Sequence, residues 1–294
     1  MELHPIEVHV VDGTYELFRY HFSPNNRDPK LGATRGVLGS LVQLVDDGAT
    51  HVGVATDQVI ESFRNDLWAG YKSSAGMPPE LLAQFPLVER VLAAAGFTVW
   101  PQVEHEADDG MAAAAALAAA DERVSRVLIC TPDKDLGQCV GGKVVQLDRR
   151  KGEVFDANGV RARLGVPPES IPDLLALVGD SADGFPGLPG WGAKSAAAVL
   201  SRWGHLEDIP ADPADWDVAV RGAVKLSATL RERFEEALLF RRIATVVPEA
   251  PVSANVDEIR WAGPADPVGF EQLCAEIGAT RLPARVAALA ARLG

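Results

Sequence analysis

Cysteine is scarce, with Cys130, Cys139 and Cys274 the only three in 294 residues. Their odd number, their place in or near apolar runs and the lack of spaced Cys and His pairs exclude a disulfide framework and a zinc site; reduced thiols in or near the core are expected. Long apolar runs are also lacking. The opening MELHPIEVHVVDG carries acid within its first residues and too short an apolar stretch for a signal peptide or a spanning helix, so no membrane association and a cytoplasmic setting are expected. There is no nucleophile elbow and no Cys/His pairing for covalent catalysis. The six histidines are scattered, with His105 alone beside a group of acids. Basic charge is short as well: 28 Lys and Arg face 41 Asp and Glu, a net charge of −13 that argues at first against a nucleic-acid partner.

Carboxylate is what the chain has in plenty, and at particular places. Asp12; Asp57; Glu106, Asp108 and Asp109; Asp133 and Asp135; Asp180 and Asp183 occupy five places, three of them the ends of short apolar runs. Carboxylates gathered within a few ångströms repel strongly in low dielectric, so a fold that gathers them needs protons or cations. Two or more Mg²⁺ ions would serve, and paired Mg²⁺ ions are the usual apparatus for cleaving phosphodiesters. Setting those nine aside leaves 32 acids against 28 bases, and bound cations would reverse the local sign. The remainder is still not basic, so weak, strongly salt-sensitive binding to nucleic acid by shape is expected.

Val8–Val11, Val52–Thr56 and Val127–Thr131 are short runs rich in β-branched residues that stop at or just before an Asp. Continuous apolarity predicts strands buried on both faces, as in a parallel sheet covered by helices. Helices are predicted over Val37–Asp46, Leu81–Ala95 and Met111–Ala120. Ligands in such α/β sandwiches bind beyond the carboxyl ends of the strands, where Asp12, Asp57, Asp133 and Asp135 fall. Asp133 and Asp135 are expected in extended chain with side chains on one side; Glu106 and Asp109 share one face of a helix start, with Asp108 alongside. Both groups are expected in one crevice. From about Ile171 the pattern becomes a helical lobe, with a Gly/Pro-rich turn after Gly179 and a new helix near Ala193. Gly187, Gly190 and Gly192 would let the backbone turn tightly and leave amides open to a phosphate at that helix start, and Lys194 adds positive charge. Further helices are predicted within Val218–Arg242. The stretch Pro248–Gly294 offers only helix-compatible spacing in its second half.

The segments VVDGTYELFRYHF, ATDQVIESFRNDLWAGYK, VEHEADDGMA, TPDKDLGQCV and GDSADGFPGLPGWGAKSAAAVL, in that order, resemble the flap endonuclease and 5′ to 3′ exonuclease family, which includes the N-terminal nuclease domain of bacterial DNA polymerase I and stand-alone enzymes. The likeness covers roughly residues 6 to 245. It implies a PIN-like, FEN-like three-layer sandwich with a parallel central sheet and a helical lobe containing a helix-three-turn-helix. The corresponding domains are an α/β nuclease domain at 1–168 with an arch segment at about 62–96, a lobe at 169–250 and an extension at 251–294. By the same resemblance all nine carboxylates fall on metal-site positions for Mg²⁺ or Mn²⁺, some acting through water. Arg19 resembles a phosphate-contacting arginine, Arg64 and Lys72 fall in the arch where a lysine meets the scissile phosphate, and Tyr71 matches an arch aromatic that stacks on a base. The Gly-rich turn would grip duplex DNA and, as in relatives, hold K⁺. The chain departs from many relatives at Ser73-Ser74-Ala75, where a second arch base is missing, and this weakens the case for flap threading more than for cleavage.

The implied activity is divalent-metal-dependent 5′-flap endonuclease and 5′-3′ exonuclease cleavage of flaps, 5′ ends and nicked or gapped duplex, with an RNA/DNA hybrid also a candidate substrate and a monomer expected. Taken singly, each feature has an ordinary reading: Arg19, Arg64 and Lys72 as solvated surface cations, Tyr71 as a packing residue, the Gly-rich turn as a plain helix connection, and Arg149-Arg150-Lys151 as a charged hairpin turn. An RNase H-like, RNA-cleaving nuclease of the same sandwich, a catalytically silent DNA-binding module and a small-molecule phosphatase are the alternatives.

Overall fold

A computed structural model of the chain describes residues 5–293. The chain divides into two compact units, one made of residues up to Ile60, Ser74–Thr131 and the stretch from Val247 on, the other of Glu61–Ser73 and Pro132–Val246. This interleaving differs from the linear division read from the sequence.

The first unit is built on four parallel strands, β1 (Ile6–Asp12), β2 (His51–Asp57), β3 (Thr98–Gln102) and β4 (Val124–Cys130), in the order β3-β2-β1-β4. All seven residues of β2 are buried, so the sheet is covered on both faces, as an unbroken β-branched run requires. The helix Ala107–Ala120 packs on all four strands, and the helices Gly13–His21 and Gln84–Ala94 pack on β2 with Gly32–Asp46 against them both. β1 and β2 are adjacent and each ends on an aspartate, Asp12 and Asp57. Gly13 is essential to that closeness, because a Cβ there would stand 2.6 Å from Thr56 Cγ2.

The helices predicted at Val37–Asp46 and Met111–Ala120 start earlier, at Gly32 and Ala107, and the one predicted at Leu81–Ala95 is broken at Ala83 into Pro79–Leu82 and Gln84–Ala94. The final stretch belongs to the first unit: Trp261 donates from its backbone N to Thr50 O (2.8 Å) and from its indole to Ala95 O (3.0 Å). The helices Pro267–Glu276 and Leu282–Leu293 then pack on Gln84–Ala94 and Gly32–Asp46. The expected arch segment, 62–96, is shared between the two units.

The second unit carries an antiparallel hairpin, β5 (Val144–Asp148) and β6 (Glu153–Phe155), whose turn is Arg149-Arg150-Lys151-Gly152, as the ordinary reading of those bases had it. Its helices include Ala157–Leu164, Ile171–Val178, Ala193–Trp203, Ala223–Glu232 and Phe234–Ala244. They enclose a core with Leu175, Leu177, Phe185, Leu200 and Phe240 at its centre. Gly187 lies in the left-handed region (φ +67°), and a Cβ on it would come within 2.3 Å of Gly179 N, so the turn closes only with glycine there. Among the described residues no helix is long and apolar enough to cross a membrane.

Candidate functional site

In the first unit, Asp12, Asp57, Glu106 and Asp109 are buried and Asp108 is half-buried. Asp12 caps the helix Gly13–His21 by accepting from Tyr15 N (2.7 Å), and its other oxygen accepts from Thr131 Oγ1 (2.9 Å). Asp57 accepts from Ala107 N (2.7 Å), the first amide of the helix Ala107–Ala120, so its charge sits at a helix N-terminus. Its own amide donates to Thr14 Oγ1 (2.8 Å). Asp109 accepts from Glu106 N (3.0 Å) and from Val247 N (2.8 Å). These bonds hold the ends of β1 and β2 and the start of a helix in fixed poses. Arg19 forms an ion pair with Glu16 and lies over the Tyr20 ring, 4.3 Å from its centroid.

In the second unit, Asp135 and Asp180 are buried, Asp183 is half-buried and Asp133 is exposed. Asp133 and Asp135 are not in extended chain: Asp133 Oδ1 accepts from Asp135 N (3.0 Å), and a 3-10 turn, Asp135–Cys139, begins at once. The turn still leaves them close enough to repel. Burial first, then the Asp133 charge, push the Asp135 carboxyl up to about 7, against the pull of Lys134. Lys134 forms ion pairs with Asp180 and, at 3.3 Å, with Asp135. Burial works against the Asp180 anion, yet the Lys134 ammonium and the amides of Ala182 and Asp183 hold its pKa below the ordinary value. Lys72 Nζ stands 3.1 Å from Asp183 Oδ1.

Two arch residues depart from expectation. Arg64 is buried and donates to Ile243 O (2.8 Å) and Thr245 O (3.1 Å), so it ties the lobe together and does not reach for a phosphate. Tyr71 is likewise buried in the lobe core, which makes it a packing residue and takes away the face a base would stack on. In the Gly-rich turn Gly190 has φ +84°, but Gly192 is extended and its amide donates to Ser195 Oγ (3.1 Å), so that donor is not open. Gly190, Gly192, Lys194 and Arg221 line a shallow groove of about 470 Å³ in which Lys194 is exposed.

Among the described residues no three His, Cys, Asp or Glu side chains form a ready-made ion-binding set. Amides and a hydroxyl engage carboxylate oxygens of the first unit, and the Lys134 and Lys72 ammonium groups engage those of the second. The residues nonetheless fit a hard divalent cation in kind: all nine donors are carboxylates, and Asp135 Oδ1 is buried without a hydrogen bond. Residues that sequence reasoning passed over also shape the site. Thr14 and Thr131 orient Asp57 and Asp12, and buried Glu89, its pKa raised by burial, accepts from Thr56 Oγ1 (2.8 Å) and Gln58 Nε2 (3.1 Å) on either side of Asp57. In the lobe, buried Asp173 accepts from Arg241 (2.9 Å) and pairs with His205 Nδ1 (2.9 Å). A lone acid inside an apolar helix was the signal for Asp173 and Glu89; Thr14 and Thr131 gave none beyond adjacency to an apolar run.

A family model described as 5′-3′ exonuclease, N-terminal resolvase-like domain, matches residues 7–165, and one described as 5′-3′ exonuclease, C-terminal SAM fold, matches residues 166–267. The chain belongs to the 5′-3′ exonuclease family. Among curated members, DNA polymerase I of Bacillus caldotenax is 32% identical over 264 residues, covering 86% of this chain and 29% of that protein, so the chain spans under a third of the relative's length. The T5 D15 protein co-crystallised with metal ions shares the fold, with a TM-score of 0.66 and 20% identity over 92% of this chain and 99% of that one. The catalytic core of Rad2 in complex with DNA substrate does so with a TM-score of 0.63 and 15% identity over 97% and 91%.

Proposed function

We propose that this chain is a structure-specific 5′ nuclease that hydrolyses DNA phosphodiesters as a 5′-flap endonuclease and 5′-3′ exonuclease, with Mg²⁺ or Mn²⁺, in DNA replication and repair. The observation that carries this reading is the gathering of nine carboxylates at five places along the chain, six of them buried where only a compensating charge or donor justifies them. A protein that merely bound DNA would gain by replacing acids with neutral or basic residues.

Asp12, Asp57, Glu106, Asp108 and Asp109 of the first unit, and Asp133, Asp135, Asp180 and Asp183 of the second, would hold the cations. When bound, divalent cations supply activation of water and neutralisation of charge on the phosphate. The chain itself supplies order and grip. Thr131 and the amides of Tyr15 and Ala107 fix the Asp12 and Asp57 carboxylates, Thr14 accepts from the Asp57 backbone amide, and Arg19 and Lys72 are the bases assigned to phosphate oxygens. Lys194 and Arg221, beside the N-terminus of the helix Ala193–Trp203, receive the duplex backbone through contacts that do not depend on base sequence. A K⁺ ion at the Gly-rich turn, a monomeric state and a cytoplasmic setting complete the reading.

The test is cleavage of an end-labelled 5′-flap duplex with Mg²⁺, with Mn²⁺ and with chelator. The expected result is flap release leaving 5′-phosphate and 3′-hydroxyl ends, abolished by chelator and strongly reduced in Asp133→Asn. Equal cleavage by Asp133→Asn and the parent, or cleavage that survives chelation, contradicts it.

A further inference from the structure

Lys134 lies between Asp133 and Asp135 in the chain, and its ammonium is lodged among carboxylates. It pairs with Asp180 Oδ2 and stands 3.3 Å from Asp135 Oδ1. That Asp135 oxygen is buried and makes no hydrogen bond, and the Lys134 ammonium is the charge that compensates it. Asp133 adds a third negative charge to the surroundings of Lys134. An ammonium and a divalent cation make the same demand here, a set of anionic oxygens with little competing water, and two cations cannot share one such position. Lys134 also has room to leave: its side chain is 43% exposed, so the ammonium can swing into solvent on its flexible stem while Asp135 and Asp180 stay in place.

Resting on the nuclease reading above, we propose that Lys134 is a resident counter-cation, which neutralises Asp135 and Asp180 in the metal-free protein and must swing away before a divalent cation can take their oxygens. The exchange balances as one monovalent group out and one divalent ion in, with no bond made or broken. Its consequence is a threshold. If the paired arrangement holds most of the metal-free population, the measured metal affinity at these oxygens is the intrinsic one reduced by the fraction of molecules with Lys134 swung out. Lys134 thus sets the metal concentration at which the second unit's carboxylates fill, and it stabilises the unit below that concentration.

The experiment is calorimetric titration of Mn²⁺ into the full chain at pH 8, with free Mn²⁺ counted by electron paramagnetic resonance, for the parent, Lys134→Met, Lys134→Gln and Lys134→Arg. Lys134→Met and Lys134→Gln should each tighten one class of Mn²⁺ site about tenfold and lower the melting temperature in chelator, whereas Lys134→Arg, which keeps the charge, should bind no tighter than the parent. Melting in chelator and far-ultraviolet circular dichroism show which variants are folded, and either neutral variant suffices. Folded neutral variants that bind Mn²⁺ no more tightly than the parent overturn the counter-cation role while leaving the nuclease reading intact. A parent that binds no Mn²⁺ at all overturns both.

Discussion

The acids of the two units are held in different ways. In the first unit Asp12, Asp57 and Asp109 accept from backbone amides and from a threonine hydroxyl, groups that are part of the fold and stay where they are. In the second unit Asp135, Asp180 and Asp183 face the ammonium groups of Lys134 and Lys72, on stems that can move, although Asp180 Oδ1 also accepts from the Ala182 amide (2.7 Å). Amide donors pre-position a carboxylate without cancelling its charge, so those oxygens remain good ligands; a lysine cancels the charge and competes with any ligand that wants it. The lesson is that one residue type can be set in place by the backbone in one region and held in reserve by a counter-ion in another.

The strongest attempt to break this contrast is to neutralise one acid of each kind. Asp57→Asn and Asp135→Asn should both cut flap cleavage by about 10³-fold or more, because each removes a proposed metal donor. Their melting temperatures in chelator should diverge: Asp57→Asn keeps an oxygen for Ala107 N, whereas Asp135→Asn removes a partner of Lys134 and also relieves repulsion with Asp133. Equal activity in either variant breaks the account of that unit. Next in size, Gly187→Ala should destabilise the second unit by about 3 kcal/mol in urea unfolding, since it adds positive-φ strain to a backbone clash. Arg64→Ala should cost about 2 kcal/mol by leaving the carbonyl of buried Ile243 without this donor, with KM for the flap unchanged; a raised KM in a fully folded variant would restore the phosphate role. The smallest effect concerns His205, whose bond to Asp173 raises its pKa. The stability this contributes is complete below the ordinary histidine value of about 6.5 and is lost as pH rises through the raised one, so His205→Asn should flatten a shallow decline in melting temperature above that pH. The half-exposed ring keeps the effect small.

Much of the first unit is legible because its strands are unbroken β-branched runs that stop on Asp12 and Asp57, and a covered parallel sheet demands that pattern. The edge strand β3 escapes such reading, since its five residues include Trp100-Pro101, a pair that only an edge tolerates. Asp133 and Asp135 were misread because the alternation of a strand was carried past its end, where the Asp133 side chain captures the Asp135 amide and starts a turn. Arg64 reads as a phosphate-facing or surface cation, and Tyr71 as a base-stacking aromatic with packing as its ordinary alternative, because their partners, the Ile243 and Thr245 carbonyls for the first and the lobe core for the second, lie far along the chain. Lys134, inside the quoted segment TPDKDLGQCV, carries no role in the sequence reading, though a cation between two acids is an obvious neutraliser.

The most direct measurement is an anomalous-scattering map of crystals soaked in Mn²⁺. The account predicts Mn²⁺ bound to carboxylate oxygens of Asp12 or Asp57 and of Asp135 or Asp180, with the Lys134 ammonium displaced from the latter pair. A map at saturating Mn²⁺ with no ion on any of the nine carboxylates, from protein that still cleaves a flap, would contradict it.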